Sequence, residues 1–227
     1  MARPATAATA ALTSSRRGLV SSPAAAADDA MRTLDLFNPT TTHAALREAA
    51  RTYATVEVEP GARQRDADEV FDRALFKRAG DMGFLGVTVP EEYGGSGMDA
   101  VAACIIHEEM SASDPGFTLA YLAHSMLFVN NLARNGNDAQ KKQFLPKACT
   151  GEALCGMAMS EPGYGTDVLG MATRAKRDAS GNWVLNGRKF WITNGTFDTR
   201  GTPGDAFLVY AKTGGDKDVS LFLVDGK

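Results

Sequence analysis

The change of hydrophobic period at Gly151 constrains this chain more than any other feature. Before it, apolar residues recur at helical spacing; after it they alternate, as in half-buried strands. Residues 43–58 put Leu46, Ala50 and Tyr53 on one side, with Val56 continuing the row, and Pro60-Gly61 ends the run. Residues 69–82 predict a second helix with Val70, Leu75, Phe76 and Ala79 inward, and residues 98–111 a third. Between these, residues 84–90 read as a short extended run stopped by Pro90. Pro115 suits the first turn of the next helix, and residues 117–135 are apolar nearly all round, the mark of a central helix. Asp138 can cap a shorter helix running to about Thr150. After Gly151, residues 154–160, 171–177, 183–185, 189–193, 206–212 and 219–224 read as strands. Asn186-Gly187 gives a two-residue hairpin signal, and Ser180-Gly181-Asn182 a second turn. The expected fold class is α+β: an N-terminal all-α domain over 28–151, then an antiparallel β-barrel or sandwich domain over 152–227.

Composition narrows the function classes. Of 227 residues, 44% are hydrophobic and 22% charged, as in ordinary globular domains. No apolar run reaches the roughly 18 residues of a membrane-spanning helix, so no span is expected. Cys104, Cys149 and Cys155 are odd in number and lack C-x-x-C spacing. That argues for a reducing compartment and against a disulfide framework or zinc site. Residues 1–27 stand apart, with Arg3, Arg16 and Arg17, many Ala, Ser and Thr, and no acid before Asp28. Such a start reads as a mitochondrial transit peptide, and a plain Ala-rich tail shares its composition. Leaving those three arginines out of 24 basic residues, against 27 acidic ones, gives a body of net charge −6. A body that acidic excludes nucleic acid as an expected partner.

Residues 156–195 carry the candidate chemistry. Gly163 and Gly165 allow backbone to approach a ligand, the hydroxyls of Ser160, Thr166 and Thr193 both donate and accept, and Trp191 offers a broad apolar face. Together they suit a flat ligand with polar edges. The same residue types also make an ordinary hairpin core with a glycine turn and a buried Trp. Elsewhere the signals are weak. The glycine-rich residues 91–97 lack a following Gly-Lys-Ser/Thr and read as a turn. His107-Glu108-Glu109 has no second His four residues on and reads as a solvated helix face. His124 reads as a satisfied core histidine rather than a catalyst. No metal site is expected.

The wording of the stretch adds more. Ser160-Glu161-Pro162-Gly163-Tyr164-Gly165-Thr166-Asp167 resembles the flavin-binding signature of the acyl-CoA dehydrogenase family, and Trp191-Ile192-Thr193-Asn194-Gly195 matches that family's second flavin segment. Tyr164 departs from it, standing where a small residue is usual. Phe84 through Gly95, Ala133 through Lys142, Leu145-Pro146-Lys147 and Gly187-Arg188-Lys189-Phe190 are also similar to family segments, so the resemblance runs from about Asp28 onward. Arg134-Asn135-Gly136-Asn137, Ala158-Met159-Ser160-Glu161 and Tyr210-Ala211-Lys212-Thr213 bring it nearest to the isovaleryl-CoA-specific members.

The resemblance implies a helical domain, a middle β-domain and a C-terminal helical domain, of which this sequence shows the first two. It implies FAD as cofactor and α,β-dehydrogenation of a short branched acyl-CoA, isovaleryl-CoA of leucine breakdown, in the mitochondrial matrix. A glutamate would take the α-proton while hydride leaves to the flavin. Electron-transfer flavoprotein would be the acceptor, and the full-length assembly a homotetramer. Residue by residue, it places Met157, Ala158, Met159 and Ser160 along the flavin ring, and Gly165 and Thr166 toward its pyrophosphate. Trp191, Ile192 and Thr193 would lie against the ring, with Thr193 near N5. Thr166, Leu119 and Ala123 would meet the acyl-CoA, although core packing alone explains Leu119 and Ala123 equally well. Glu161 lies in the flavin loop and is not read as the base, and no catalytic residue is assigned, because the family's glutamate falls beyond Lys227. The 227-residue chain alone is therefore expected to be inactive, to copurify with little or no FAD, and to leave its last strand as an aggregation-prone edge. Another short-chain acyl-CoA dehydrogenase, a non-catalytic binding module and a flavin oxidase on the same scaffold are the competing readings.

Overall fold

The computed structural model describes residues 37–226 except Thr199 and Asp216, so the transit peptide expected over 1–27 lies outside the described residues. Helices come first: α1 Thr41–Tyr53, α2 Ala62–Ala67, α3 Arg73–Asp81, α4 Ala100–Ser113, α5 Pro115–Leu122, α6 Asn131–Asn135 and α7 Asp138–Cys149. Two π-helical stretches continue them without a break. Ala54–Val58 extends α1, and Ala123–Asn130 joins α5 to α6 into one long rod. Short polar side chains set most of the helix starts. Asp72, Asp99 and Asp114 each accept from the backbone N–H three residues on, at 2.8, 3.0 and 2.9 Å. Asn137 and Gln140 close a reciprocal capping box at α7.

The strands are β1 Cys155–Ala158, β2 Arg174–Arg177, β3 Trp183–Asn186, β4 Ala206–Lys212 and β5 Val219–Asp225. They form a single mixed sheet, which corrects the wholly antiparallel expectation. β4 pairs with β5 antiparallel along its whole length, but with β1 parallel, from Cys155↔Ala206 to Ala158↔Val209. The chain leaves β1 and returns in the same direction only after a long excursion, and parallel pairing requires such a crossover. The β2–β3 hairpin is built within that excursion and joins β4 through one parallel pair, Arg174↔Lys212.

Three local expectations change for physical reasons. Residues 84–90 are folded into successive tight turns rather than extended. Val87 N donates to Phe84 O and Val89 N to Gly86 O, so Phe84, Leu85, Val87 and Val89 are all buried instead of alternating. The β2–β3 turn is made at 178–182, where the Asp178 carboxylate accepts from Ser180 N and Asn182 N, both at 2.9 Å. Asn186-Gly187 makes no hairpin. Gly187 instead lies so close to Thr173 that a Cβ would fall 2.2 Å from its hydroxyl oxygen. Residues 189–193 are no strand either, for reasons given below. Among smaller differences, Val56 and Val70 are exposed. Of the expected solvated face, Glu109 is held in a half-buried ion pair by Arg47 and Arg51, and the His107 ring packs on Tyr121 at 4.7 Å.

Two cores result. Leu46, Tyr53, Phe76, Phe84, Ile106 and Tyr121 fill the space among the helices. Val89, Phe128, Leu132, Leu145, Cys155 and Leu208 fill the space between helices and sheet. Wholly buried His124 ties the two halves together. Its Nδ1 accepts from Cys155 N at 3.0 Å and its Nε2 donates to Ala148 O at 3.0 Å. Burial pushes its pKa down to about 4, keeping the ring neutral. This is the satisfied core histidine expected from sequence. Cys149 and Cys155 are free and buried; burial pushes the Cys149 thiol up to about 12. Among the described residues no helix is long and apolar enough to cross a membrane, and no His, Cys, Asp and Glu side chains gather as a metal site.

Candidate functional site

Three segments meet where β1 ends: the strand with its following loop, residues 188–195, and the α5–π rod. A carboxylate organises the first two. Glu161, only 5% exposed, accepts from Ala172 N at 2.6 Å and Thr173 N at 3.0 Å, closing residues 161–173 into a loop. The Lys189 ammonium donates to Glu161 Oε1 at 2.9 Å and to Met159 O at 3.0 Å. Burial works to raise the Glu161 pKa, but Thr173, Lys189 and the backbone N–H groups outweigh it and hold it down at about 2. Glu161 is thus a fixed anion within the fold. Phe190 N donates to Ser160 O at 2.9 Å, so the Trp191 segment runs directly beside the end of β1.

The chain then turns twice through left-handed backbone, with φ +55° at Trp191 and +64° at Asn194. That is why residues 189–193 cannot continue as a strand. Asn tolerates this region, whereas a Trp held there costs about 1–2 kcal/mol. The contacts on either side sustain it. Asn194 Nδ2 donates to Cys155 O and to Ala120 O, both at 3.0 Å. The Thr193 carbonyl sits against Gly156, where a Cβ would lie 2.7 Å from it. Close approach of two backbones therefore requires a glycine there.

This geometry leaves an open face. Trp191 is 84% exposed, with Phe190 tilted against it at 4.5 Å between centroids. Gly163 and Gly165 have open space where a Cβ would stand, and residues 162–167 are exposed. Among the described residues, the hydroxyls of Ser160, Thr166 and Thr193 take no hydrogen bond. An apolar plate, unspent hydroxyls and a glycine loop open to approach fit a flat heteroaromatic ring carrying a phosphate tail.

The sequence-predicted residues fall as follows. Met157 and Ala158 are in β1, Met159 and Ser160 at its exit, and Ile192 and Thr193 beside them, half-buried. Gly165 and Thr166 lie farther out on the loop. On the rod, Ala123 is buried and Leu119 is 54% exposed, its neighbour Ala120 bonded to the Trp191 segment. Sequence reasoning missed Lys189, Asn194 and Gly156. The first two were visible as polar residues on either side of the run Phe190 through Thr193.

The family profile "Acyl-CoA dehydrogenase, N-terminal domain" matches residues 40–152, and "Acyl-CoA dehydrogenase, middle domain" matches residues 156–227. The chain is 39% identical over 184 residues to a mitochondrial isovaleryl-CoA dehydrogenase of Arabidopsis thaliana, covering 79% of this chain and 43% of that protein. It is 37% identical over 187 residues to that of Pongo abelii, with the same coverage. Among solved structures, an acyl-CoA dehydrogenase complexed with FAD from Bacillus anthracis superposes with a TM-score of 0.73 at 38% identity, covering 82% of this chain and 31% of that one. A glutaryl-CoA dehydrogenase of Mycobacterium smegmatis in complex with FADH2 gives 0.76 at 30% identity, covering 85% and 47%. The chain spans less than half the length of the relatives it matches. Two adjoining profiles that run from Thr40 to the last residue, over helices followed by this sheet, show that the chain belongs to the acyl-CoA dehydrogenase family.

Proposed function

We propose that this chain supplies the FAD-binding and acyl-binding faces of a dehydrogenase acting on a short branched acyl-CoA, with isovaleryl-CoA as substrate. The observation that carries the reading is the convergence of the β1 exit, the exposed Trp191 plate and the Leu119-bearing rod around one open face. Similarity to isovaleryl-CoA dehydrogenases supports the acyl class. The mitochondrial relatives support a mitochondrial location, and the matrix, electron-transfer flavoprotein as acceptor and a homotetrameric assembly are part of the same proposal. Residues 28–151 and 152–227 are the two domains in this reading.

FAD, if bound by Trp191, Thr193 and the β1 exit, would supply the hydride acceptor for acyl dehydrogenation. The residues here bind and orient. Trp191 offers its indole to the ring, and the backbone of Met157 through Met159 with Ser160 and Thr193 offers hydrogen bonds to its polar edge. Gly165 and Thr166 would hold the pyrophosphate, and Thr166 would also meet the thioester tail. Leu119 and Ala123, four residues apart, are on one side of the rod and leave room for a branched tail beside the small Ala123. Glu161 is committed to Lys189 and the loop closure, so proton abstraction is not assigned to it.

Titration of the chain with FAD tests this, read by Trp fluorescence and the flavin visible spectrum, followed by isovaleryl-, butyryl- and palmitoyl-CoA. Saturable FAD binding is expected, lost in Trp191→Ala, with isovaleryl-CoA perturbing the flavin spectrum more than the other two. An absence of saturable binding, or a spectrum indifferent to acyl-CoA, would refute it.

A further inference from the structure

The Asn194 side chain, itself on the Trp191 segment, joins that segment to the other two segments of the site. It is 7% exposed, and both N–H bonds of its Nδ2 are spent on backbone carbonyls, Cys155 O in β1 and Ala120 O on the rod. Ala120 stands three residues before the rod changes from α to π winding at Ala123, and π turns mark places where a helix is shaped for something beside it. Leu119 is adjacent to Ala120, and Ala123 opens the π stretch. On the other side, Asn194 adopts φ +64° three residues after Trp191, and its own carbonyl is packed on Gly204, where a Cβ would lie 2.6 Å away. Movement of the rod relative to β1, or of the Trp191 wall relative to either, breaks an Asn194 hydrogen bond.

We infer that Asn194 is a positioning residue, setting the separation between the ring-side wall of Trp191 and Thr193 and the acyl-side face of Leu119 and Ala123. This rests on the functional reading above. Asn194 touches neither cofactor nor substrate in this role; it acts through the segments it ties. An asparagine suits both demands at once, because it accepts the left-handed backbone and supplies two donors to two carbonyls.

Asn194→Gly isolates the amide, since glycine keeps the left-handed backbone without strain and removes both hydrogen bonds. The readouts are FAD affinity by titration, the flavin visible spectrum and thermal melting. Asn137→Ala serves as control. It removes the α7 capping box, far from the site, and lowers the melting temperature without touching the three segments. The expected result is about tenfold or more weaker FAD binding in Asn194→Gly, with an altered flavin spectrum, and wild-type binding in Asn137→Ala. Wild-type affinity and spectrum in Asn194→Gly, or equal weakening in both variants, would overturn the inference alone. Failure of the wild-type chain to bind FAD would overturn the functional reading and the inference with it. Should Asn194→Gly not fold, hydrogen exchange on the wild-type chain decides. FAD is expected to slow exchange in residues 119–125 and 190–196 together, and slowing in 190–196 alone would overturn the coupling.

Discussion

His124 makes the chain acid-sensitive well above the range in which carboxylates titrate. The ring has its Nδ1 occupied by the Cys155 N–H and its Nε2–H by the Ala148 carbonyl, so only one neutral tautomer satisfies both partners. A proton added at Nδ1 would face the Cys155 N–H inside a buried site and break the link between helices and sheet. With a pKa of about 4 folded against the ordinary 6.5, the unfolded chain binds the proton first. The stability His124 contributes is thus complete above pH 6.5 and falls as pH drops toward 4. The whole displacement is worth about 3 kcal/mol, most of which is gone by pH 4.5. For a domain whose total stability is about 5–15 kcal/mol, that is a large share. Urea unfolding at a series of pH values from 7 to 4.5, followed by circular dichroism, measures it. His124→Gln keeps a donor for Ala148 O and cannot titrate, but leaves the buried Cys155 N–H without its acceptor, costing about 1–3 kcal/mol at pH 7. The variant is therefore expected to start lower and to decline less, by about 2–3 kcal/mol, between pH 7 and 4.5. His107, whose pKa burial also lowers, contributes to both proteins equally and cancels in the difference. Parallel declines in wild type and His124→Gln would refute the reasoning.

Much of this architecture was legible beforehand because its signals are local. Helix starts at Asp72, Asp99, Asp114 and Asn137 are set by side chains that bond three residues away, although the cap read at Asp138 belongs to Asn137, one residue earlier, whose side chain reaches Gln140 N. The helix-to-strand change near Gly151 is a change of period that any window detects. What was hidden depends on partners distant in sequence. Cys155 and Ala206 are parallel neighbours only because a long crossover separates them, and alternation alone does not encode strand direction. Residues 189–193 alternate well enough for a strand, yet Lys189 is drawn to Glu161 and Asn194 to Ala120, 74 residues away. Asn186-Gly187 carried a strong hairpin signal that lost to the packing of Gly187 on Thr173. The glycine loop and the Trp191 segment were readable as motifs. The residues that hold them together were not, because Lys189, Gly156 and Asn194 gain meaning only from backbone atoms of other segments.

Two further predictions follow from the same contacts. Glu161 titrates below the His124 window: its pKa is lowered from 4.5 to about 2, so its contribution is complete above pH 4.5 and is lost as pH falls toward 2. That contribution is about 3 kcal/mol. Glu161→Gln should remove this acid limb from the unfolding profile and, by leaving the buried Lys189 ammonium uncompensated, lower stability at pH 7 by about 3 kcal/mol; an unchanged limb between pH 4.5 and 2 would show that the carboxylate is not held as described. Gly156→Ala attacks the site from the strand side. The added methyl would stand 2.7 Å from the Thr193 carbonyl, so one of the two backbones must give way. β1 is locked to β4 by parallel pairing, while the Trp191 segment is tied by Asn194 and by Phe190 N to Ser160 O. The less heavily bonded partner is the Trp191 segment, so it should move, at a cost of about 1–3 kcal/mol. FAD affinity should fall while the helical core, buried among residues that Gly156 does not touch, keeps its circular dichroism. Undiminished FAD binding in Gly156→Ala would mean that the Trp191 segment yields without consequence for the ring face, and that the strand and the segment do not form one wall.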